Sequence, residues 1–368
     1  MTNTVIQGLP RWSLAVPPLA FVVLLVTWHR DLGVVLLILV CAGLGAAVIA
    51  AVHHAEVVAH RVGEPFGTLI LALAVTVIEV ALIVTLMVPG GVKAATLARD
   101  TVFAAVMITC NGILGLSLVV GSLRHGTQEF RVRASSSALA VMTALVTLSL
   151  VLPTFTTSAP GPQFSPAQLA FAGVTSLVMY GVFVFVQTVR HRDYFLPVPS
   201  SDVVEEDDEG THATAPSGQV ALLSLGLLFV CLISVVGLAK TVSPSLESAV
   251  ESAGAPVAVV GVAIALLVLL PETAAAVRAA LRNRLQNSFN LALGSALASI
   301  GLTIPAIAVA SIWLSGPLVL GLGGTEMVLF ALTVVTSILT LATGRATLLQ
   351  GAVHLMVFSA FIFLAISP

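Results

Sequence analysis

The sequence predicts an all-α membrane protein with about eleven transmembrane helices, organised as an extra first helix followed by two inverted five-helix repeats. Composition predicts the membrane class, because 58% of the 368 residues are hydrophobic, 9% are charged and the mean hydropathy is +1.10. Soluble domains carry roughly a quarter charged residues. Apolar runs of spanning length along the whole chain predict the helices.

Composition also argues against several partners and cofactors. The net charge is -2 and the sequence shows no basic patch with interleaved aromatic residues, so nucleic acid is not expected as a partner. Cys41, Cys110 and Cys231 all lie inside apolar runs without metal-ligand spacing. We expect them to pack as small apolar side chains, and we expect no resident cofactor.

The first apolar run is predicted to be a retained helix rather than a cleaved signal peptide, because Thr27–Arg30 does not resemble a small-residue cleavage site. Prolines at 271 and 305 predict a break or kink in the eighth and ninth spans. The eleven predicted spans are 12–28, 33–54, 66–89, 101–122, 135–157, 166–189, 219–240, 255–277, 286–314, 325–342 and 347–367.

Basic residues predict the orientation in the membrane, since cytoplasmic loops are enriched in Lys and Arg. With a cytoplasmic N-terminus, four basic residues fall in outside loops: Arg30, Lys93, Arg99 and Lys240. The other eleven fall inside: Arg11, Arg61, Arg124, Arg131, Arg133, Arg190, Arg192, Arg278, Arg282, Arg284 and Arg345. We therefore expect a multi-pass protein of the bacterial plasma (inner) membrane with its C-terminus outside.

A polar, acidic segment divides the chain. The expected regions are an extra helix (1–32), a first repeat (33–196), a cytoplasmic linker (197–218) and a second repeat (219–368). Five spans on each side give the halves opposite orientations, as in many secondary transporters. The acidic run 202–209 lacks EF-hand spacing, so it is predicted to be a solvated linker, with a loose calcium-sensing or gating element as the alternative.

The two halves share a sequence pattern. Fourteen residues separate Pro65 from Glu79 in the first half, and sixteen separate Pro256 from Glu272 in the second. The next span of each half contains Asn-x-x-Leu-Gly, at 111–115 and at 290–294. The shared order of these matches favours an internal duplication.

Glu79 and Glu272 are the predicted functional residues. A carboxylate in the middle of a transmembrane helix is costly and usually faces a cavity or a partner. Glu79 lies between apolar stretches too long for its side chain to reach water. The alternatives are a protonated Glu79 bonded within the bundle, and an ion pair of Glu272 with Arg278.

Two buried carboxylates suit a divalent cation, and calcium prefers six to eight oxygen ligands. Helix-to-helix hydrogen bonding is the alternative role for each neutral candidate. Burial disfavours an ionised carboxylate and a nearby cation favours it, so cation and proton would occupy the pair alternately. Glu56 and Glu64 could line a cytoplasmic access path. The neutral candidates are Thr76, Asn111, Asn290, Ser295, Ser299 and Thr303.

Several segments resemble the bacterial calcium/proton exchangers of the calcium/cation antiporter superfamily. They are Gly63–Ile70, Val77–Ile83, Pro271–Glu272, Asn283–Ser295 and Gly301–Pro305. The resemblance covers nearly the whole chain and implies an antiporter whose repeat glutamates, Glu79 and Glu272, bind cation and proton. The better-known exchangers of that family have Gly-Asn before the repeat glutamate, in a Gly-Asn-Ala-x-Glu pattern, whereas this sequence has Val75–Ile78 and Val268–Pro271 there. Sodium or potassium exchange therefore stays open beside calcium.

Other function classes fit the sequence less well. A cation channel usually assembles identical subunits around its pore, whereas this chain has two non-identical halves with one buried glutamate each. The sequence contains no Gly-x-Ser-x-Gly and no His-Glu-x-x-His, and it lacks phosphate-binding glycine loops. We therefore expect a secondary antiporter, neither an enzyme nor an ATP-driven pump.

Overall fold

The computed structural model describes residues 9–28, 30, 33–63, 66–195, 216–252, 254, 256, 258–313 and 316–368. Within these residues, nine helices are long and apolar enough to cross a membrane, and a bent pair of shorter helices makes a tenth crossing. A 17-residue apolar helix precedes them. The predicted all-α membrane class is confirmed, and each of the eleven predicted spans coincides with one of these helices or with the bent pair.

The N-terminal helices lie where the hydropathy pattern predicted them. Three of them end in or contain short π-helical segments, at Ile108–Ile113, Thr147–Val151 and Val186–Arg190. The helices are α1 (Arg11–Thr27), α2 (Val34–Val62), α3 (Phe66–Gly90), α4 (Leu97–His125), α5 (Val132–Thr154) and α6 (Pro166–Arg190).

The C-terminal part repeats this helical pattern with one interruption. Two short strands, β1 (Gln128–Glu129) and β2 (Arg345–Ala346), pair antiparallel and join the loop after α4 to a loop of the second half. The helices are α7 (Gly218–Ser252), α8 (Ala258–Val268), α9 (Leu270–Leu281), α10 (Leu285–Ala310), α11 (Gly324–Ala342) and α12 (Leu348–Ile366).

The two prolines singled out in the sequence behave differently. At Pro271 the predicted break is present, because α8 and α9 meet at a bend of 54°. A proline has no N–H to donate to the preceding turn, which favours an interruption there. At Pro305 the 26-residue α10 continues unbroken. A single missing hydrogen bond is tolerated where the helix is packed against neighbours, and Pro305 packs against Gly173 of α6.

Loop contacts assign the helix ends to two faces of the bundle. On one face, His125 donates to the Leu281 carbonyl at 2.8 Å and Gln128 donates to Asn283 at 2.9 Å. We call this the arginine-rich face, defined by loops 126–131, 282–284 and 343–347. On the opposite face, the Val319 N–H donates to the Ala95 carbonyl at 3.0 Å.

The bent pair α8–α9 joins these two faces. Ala258, at the start of α8, shares a cavity with Asp100 near the start of α4. Leu281, at the end of α9, contacts His125 at the end of α4. The pair therefore runs the full length of α4 and crosses the bundle as one broken span.

Helices of the two halves pack against each other in a crossed arrangement. The α3 helix, which carries Glu79, packs on α10, and α8 packs on α4. Close approach is possible at Gly261, where an added Cβ would lie 2.9 Å from the Thr101 nitrogen. The first helices of the two predicted repeats are α2 and α7, and they pack side by side. The α1 helix packs against both of them.

Candidate cation site

A cavity of about 320 Å³ lies among α3, α4, α6, α8, α9 and α10, and both predicted glutamates line it. Hydrophobic side chains form most of its wall. The neutral polar side chains that reach it are Thr76, Gln187, Asn287, Asn290, Ser295 and Ser299. The structure thus brings Glu79 and Glu272, 193 positions apart in the sequence (272 − 79), to one site.

Glu79 is held by a hydroxyl from the second half of the chain. Glu79 is only 3% exposed, and the Ser299 hydroxyl lies 2.7 Å from Oε1 and 2.9 Å from Oε2 of its carboxylate. Ala72, Val75 and Thr76 precede Glu79 by seven, four and three residues, so they share its face of α3 and line the same cavity. The crossed packing of α3 on α10 is therefore what places the hydroxyl on the carboxylate.

Glu272 lies in the first turn of α9, directly after the helix break. The positive end of a helix dipole stabilises a carboxylate at this position. Its Oε2 atom is buried and has no hydrogen-bond partner among the described residues. Arg278 lies six residues further along α9, and the structure of the described residues shows no ion pair between it and Glu272. Glu272 therefore presents an unpaired oxygen at the cavity.

The neutral ligand candidates divide into two groups. Thr76, Ser295 and Ser299 line the cavity, and their predicted role as cation ligands stays a prediction. Asn290 also lines it, but its amide oxygen accepts from Gln286 at 2.7 Å and its amide nitrogen donates to the Phe195 carbonyl at 2.6 Å. The side chain of Asn290 is thus occupied by protein partners.

Asn111 lies outside this cavity, in the π-helical segment of α4. Its amide nitrogen donates to Thr333 at 2.9 Å, and its amide oxygen lies 3.1 Å from Nδ1 of His354. The other ring nitrogen of His354 lies 3.1 Å from the Thr340 hydroxyl. Since all four residues are buried, the amide of Asn111 serves a helix-to-helix network rather than this cavity.

The sequence reasoning did not single out His354. Its signal was present, because a titratable residue inside an apolar span is costly and usually has a specific partner. The cavity wall from α6 was also missed. Tyr180, Phe183 and Gln187 line the cavity, although no charge marks that helix in its middle.

The predicted access residues are only partly described. Glu56 is an exposed residue of α2 and interacts electrostatically with Arg278 and Glu272. Glu64 and the acidic run 202–209 lie outside the described residues, so their predicted roles stay predictions.

The cavity extends toward the arginine-rich face. Its lining includes Asn287 and Gln187, which lie within three residues of the helix ends Leu285 and Arg190. At the other end of the cavity lie Glu79 and Ser299, and Ser299 is near the middle of α10. The lining of the site thus runs from mid-depth in the bundle toward the arginine-rich face.

Comparisons with known proteins agree along nearly the whole length. Residues 32–189 and 223–367 match the family described as sodium/calcium exchanger protein. The chain is 50% identical to the putative ionic transporter y4hA of Sinorhizobium fredii, over 98% of this chain and 97% of that protein. It is 37% identical to the sodium-potassium/proton antiporter ChaA of Escherichia coli, over 95% and 94% of the two chains.

Solved structures share the fold. The structure of native YfkE superposes with a TM-score of 0.73 at 17% identity, covering 97% of this chain and 99% of that one. A selenium-substituted form, described as a Ca2+/H+ antiporter, gives a TM-score of 0.66. At this level of identity the likeness shows a common architecture of helices.

Proposed function

Because the chain belongs to the sodium/calcium exchanger family and is a multi-pass cation/proton antiporter, we propose that it exports calcium in exchange for protons. The observation that carries the proposal is the meeting of Glu79 and Glu272 at one mid-depth cavity. Two carboxylates match the charge of one divalent cation or of two protons. Thr76, Ser295 and Ser299 supply neutral oxygens of the kind that calcium accepts.

The exchange needs no covalent step and no resident cofactor, and the protein is not an enzyme. Calcium displaces the protons from the two carboxylates, and protons later displace calcium. If only an occupied site can change the side to which it opens, proton entry drives calcium exit. The partners are then the lipid bilayer, inorganic cations and protons.

The orientation follows from the basic residues. We place the arginine-rich face in the cytoplasm of a bacterial inner membrane, with the N-terminus inside and the C-terminus outside. The cavity then opens to the cytoplasm, which is the side from which an exporter takes up its cation.

Sodium or potassium exchange is the second candidate. Two observations favour it: the 37% identity to a sodium-potassium/proton antiporter, and Thr76 in a stretch where the calcium exchangers have Gly-Asn. Two carboxylates and few neutral oxygens would serve a monovalent cation with a smaller coordination shell. The two candidates share the site and differ in the cation.

The direct test uses everted membrane vesicles from cells without other cation/proton antiporters. A proton gradient is imposed, and calcium, sodium or potassium is added separately. Calcium should dissipate the gradient with the wild-type protein, whereas Glu79→Gln and Glu272→Gln should abolish the response. Glu129→Gln is the matched control, because that carboxylate is exposed and pairs with Arg345 on the arginine-rich face.

Two results would contradict the proposal in different ways. If only sodium or potassium dissipated the proton gradient, the transported cation would not be calcium, but the assignment of the site would stand. Full exchange by either glutamine variant would show that the substituted glutamate is not part of the site.

A further inference from the structure

A second cavity, of about 250 Å³, lies at the face opposite the arginine-rich one. It is formed where α4, α8 and α11 begin, and Asp100 and Glu326 both line it. Neither carboxylate belongs to the central site. The cavity therefore places two further acids on the side of the bundle opposite the face toward which the central cavity extends.

Asp100 has one carboxylate oxygen that is paired and one that is left to bind a ligand. The residue is 8% exposed, and Arg99 holds only one of its oxygens, with Nη2 at 2.7 Å and Nε at 2.8 Å from Oδ1. Oδ2 is buried and has no partner in the described part of the chain. A buried acceptor without a partner is costly unless a ligand or water satisfies it.

The arginine does not cancel the charge of the cavity. Arg99 also donates to the Gly321 carbonyl at 3.1 Å, which ties its guanidinium to the loop before α11. Among the side chains that line the cavity, Asp100 and Glu326 together with Arg99 leave one net negative charge. This charge attracts a cation rather than an anion.

The second cavity approaches the central one along two helices. On α8, Val262 lines the second cavity and Ala265 lines the central one; on α4 the corresponding residues are Phe103 and Ala105. At a rise of 1.5 Å per residue these steps amount to about 3–5 Å. Measured along the helix axes, less than one turn separates the residues that line the two cavities, and Phe103 lies at this level.

We infer that the second cavity is a cation-binding vestibule, in which Asp100 and Glu326 hold the transported inorganic cation on the far side of the central site. Its role in exchange rests on the proposed function. Cation binding itself does not, since the cavity and its unpaired oxygen are independent of Glu79 and Glu272.

The binding test uses purified protein in which Glu79→Gln and Glu272→Gln remove the central site. Calcium chloride and sodium chloride are each titrated against its unfolding temperature, with choline chloride matching the ionic strength. We expect a saturable rise with one of the two metal cations, and its loss on adding Asp100→Asn or Glu326→Gln. Absence of any rise beyond that with choline would overturn the vestibule, whether or not the protein exchanges cations.

The transport test compares the two faces of the membrane. In the otherwise unaltered protein, Asp100→Asn should raise the half-saturating cation concentration on the face opposite Asn287 by about tenfold, since a charged vestibule raises the local cation concentration. The value on the other face should not change. An equal rise on both faces, or none, would overturn the vestibule.

Two controls keep the transport result specific. Glu129→Gln should leave both half-saturating concentrations as in the wild type. Glu326→Gln repeats the test if Asp100→Asn folds poorly. A wild-type protein that moves no protons with calcium, sodium or potassium would instead refute the proposed function, and the binding test would still decide the vestibule.

Discussion

The Ser299 hydroxyl contacts the Glu79 carboxylate and lies within hydrogen-bond distance of both of its oxygens. It comes from the opposite half of the chain, 220 residues away. A carboxylate held this way keeps one orientation toward the cavity. A cation that binds Glu79 therefore meets a preformed oxygen pair rather than a mobile side chain.

Ser299→Ala should weaken exchange without unfolding the protein. A hydrogen bond to a charged group is worth about 1.5–3 kcal/mol, which corresponds to about 10–100-fold in affinity. The half-saturating cation concentration in everted vesicles should rise by about tenfold or more. Ser311→Ala, at the end of the same helix, is the control, because its hydroxyl only donates to the Ala308 carbonyl. An unchanged value in Ser299→Ala would mean that the hydroxyl does not position the carboxylate.

His354→Ala should reduce stability and leave exchange near the wild-type rate. The substitution leaves the Asn111 amide oxygen without its partner in a buried network, which costs about 1–3 kcal/mol. Thermal unfolding in detergent measures the loss, and the exposed His60→Ala serves as the control. Normal stability with abolished exchange would instead place His354 on the transport pathway.

At the residue scale, the sequence predicted which charged side chains belong to the site better than it predicted which way a polar side chain points. Glu79 and Glu272 were predictable because any carboxylate in an apolar span needs a special environment. Asn111 occupies the matching place in the repeat pattern but faces away from the cavity. Which way a side chain points depends on the rotational phase of its helix, and the π segment around Asn111 shifts that phase. Hydropathy does not contain that information.

Among the helices, the break between α8 and α9 matters most for the site. It puts Glu272 in a first turn, where the helix dipole favours a carboxylate. It also leaves the Leu267 carbonyl without its usual helical donor, because Pro271 has no N–H. A continuous helix would lose both effects.

Pro271→Ala should lower the exchange rate, because alanine allows α8 and α9 to join and moves Glu272 away from a helix start. The initial rate of proton movement in vesicles is the measurement. Pro305→Ala is the matched control, since Pro305 lies within a helix that is already unbroken. Equal rates in the two variants would show that the break does not depend on the proline.

The existence and order of the helices were predictable, because a bilayer requires long apolar runs and the chain supplies them one after another. Their ends were less so, since α2 and α7 extend to Val62 and Ser252, beyond the predicted ends at 54 and 240. The two prolines had the same sequence signal and different outcomes. Pro271 lies in the first turn of α9, where a proline fits, whereas Pro305 lies inside α10 and is packed on α6. Packing against a neighbour is a tertiary property, so the local sequence could not separate them.

For the whole molecule, the lining of the central cavity extends toward the arginine-rich face, whereas the second cavity lies at the opposite face, and this predicts a sided accessibility. In a Cys41→Ser background, Asn287→Cys should react with a membrane-impermeant thiol reagent from that face alone. Thr325→Cys, at the second cavity, should react from the opposite face. The remaining native cysteines are buried. Labelling of both variants from the same face would contradict the assigned sides.

The arrangement of the halves was predicted from parity and from short sequence matches, whereas the cavities were not. A cavity is bounded by residues from many helices, as Tyr180 of α6 and Ala105 of α4 show. Their proximity follows from the crossed packing of the two halves. No single segment of the sequence encodes that packing.

The thin partition between the two cavities has an electrical consequence. If water fills both, most of the membrane voltage falls across a few ångströms near Phe103 instead of across the whole hydrocarbon thickness. An ion then crosses nearly the full voltage in one short step. An exchange of two protons for one calcium moves no net charge, so its driving force does not depend on that voltage. Any other ratio moves net charge in each cycle, and the membrane voltage then drives or opposes transport.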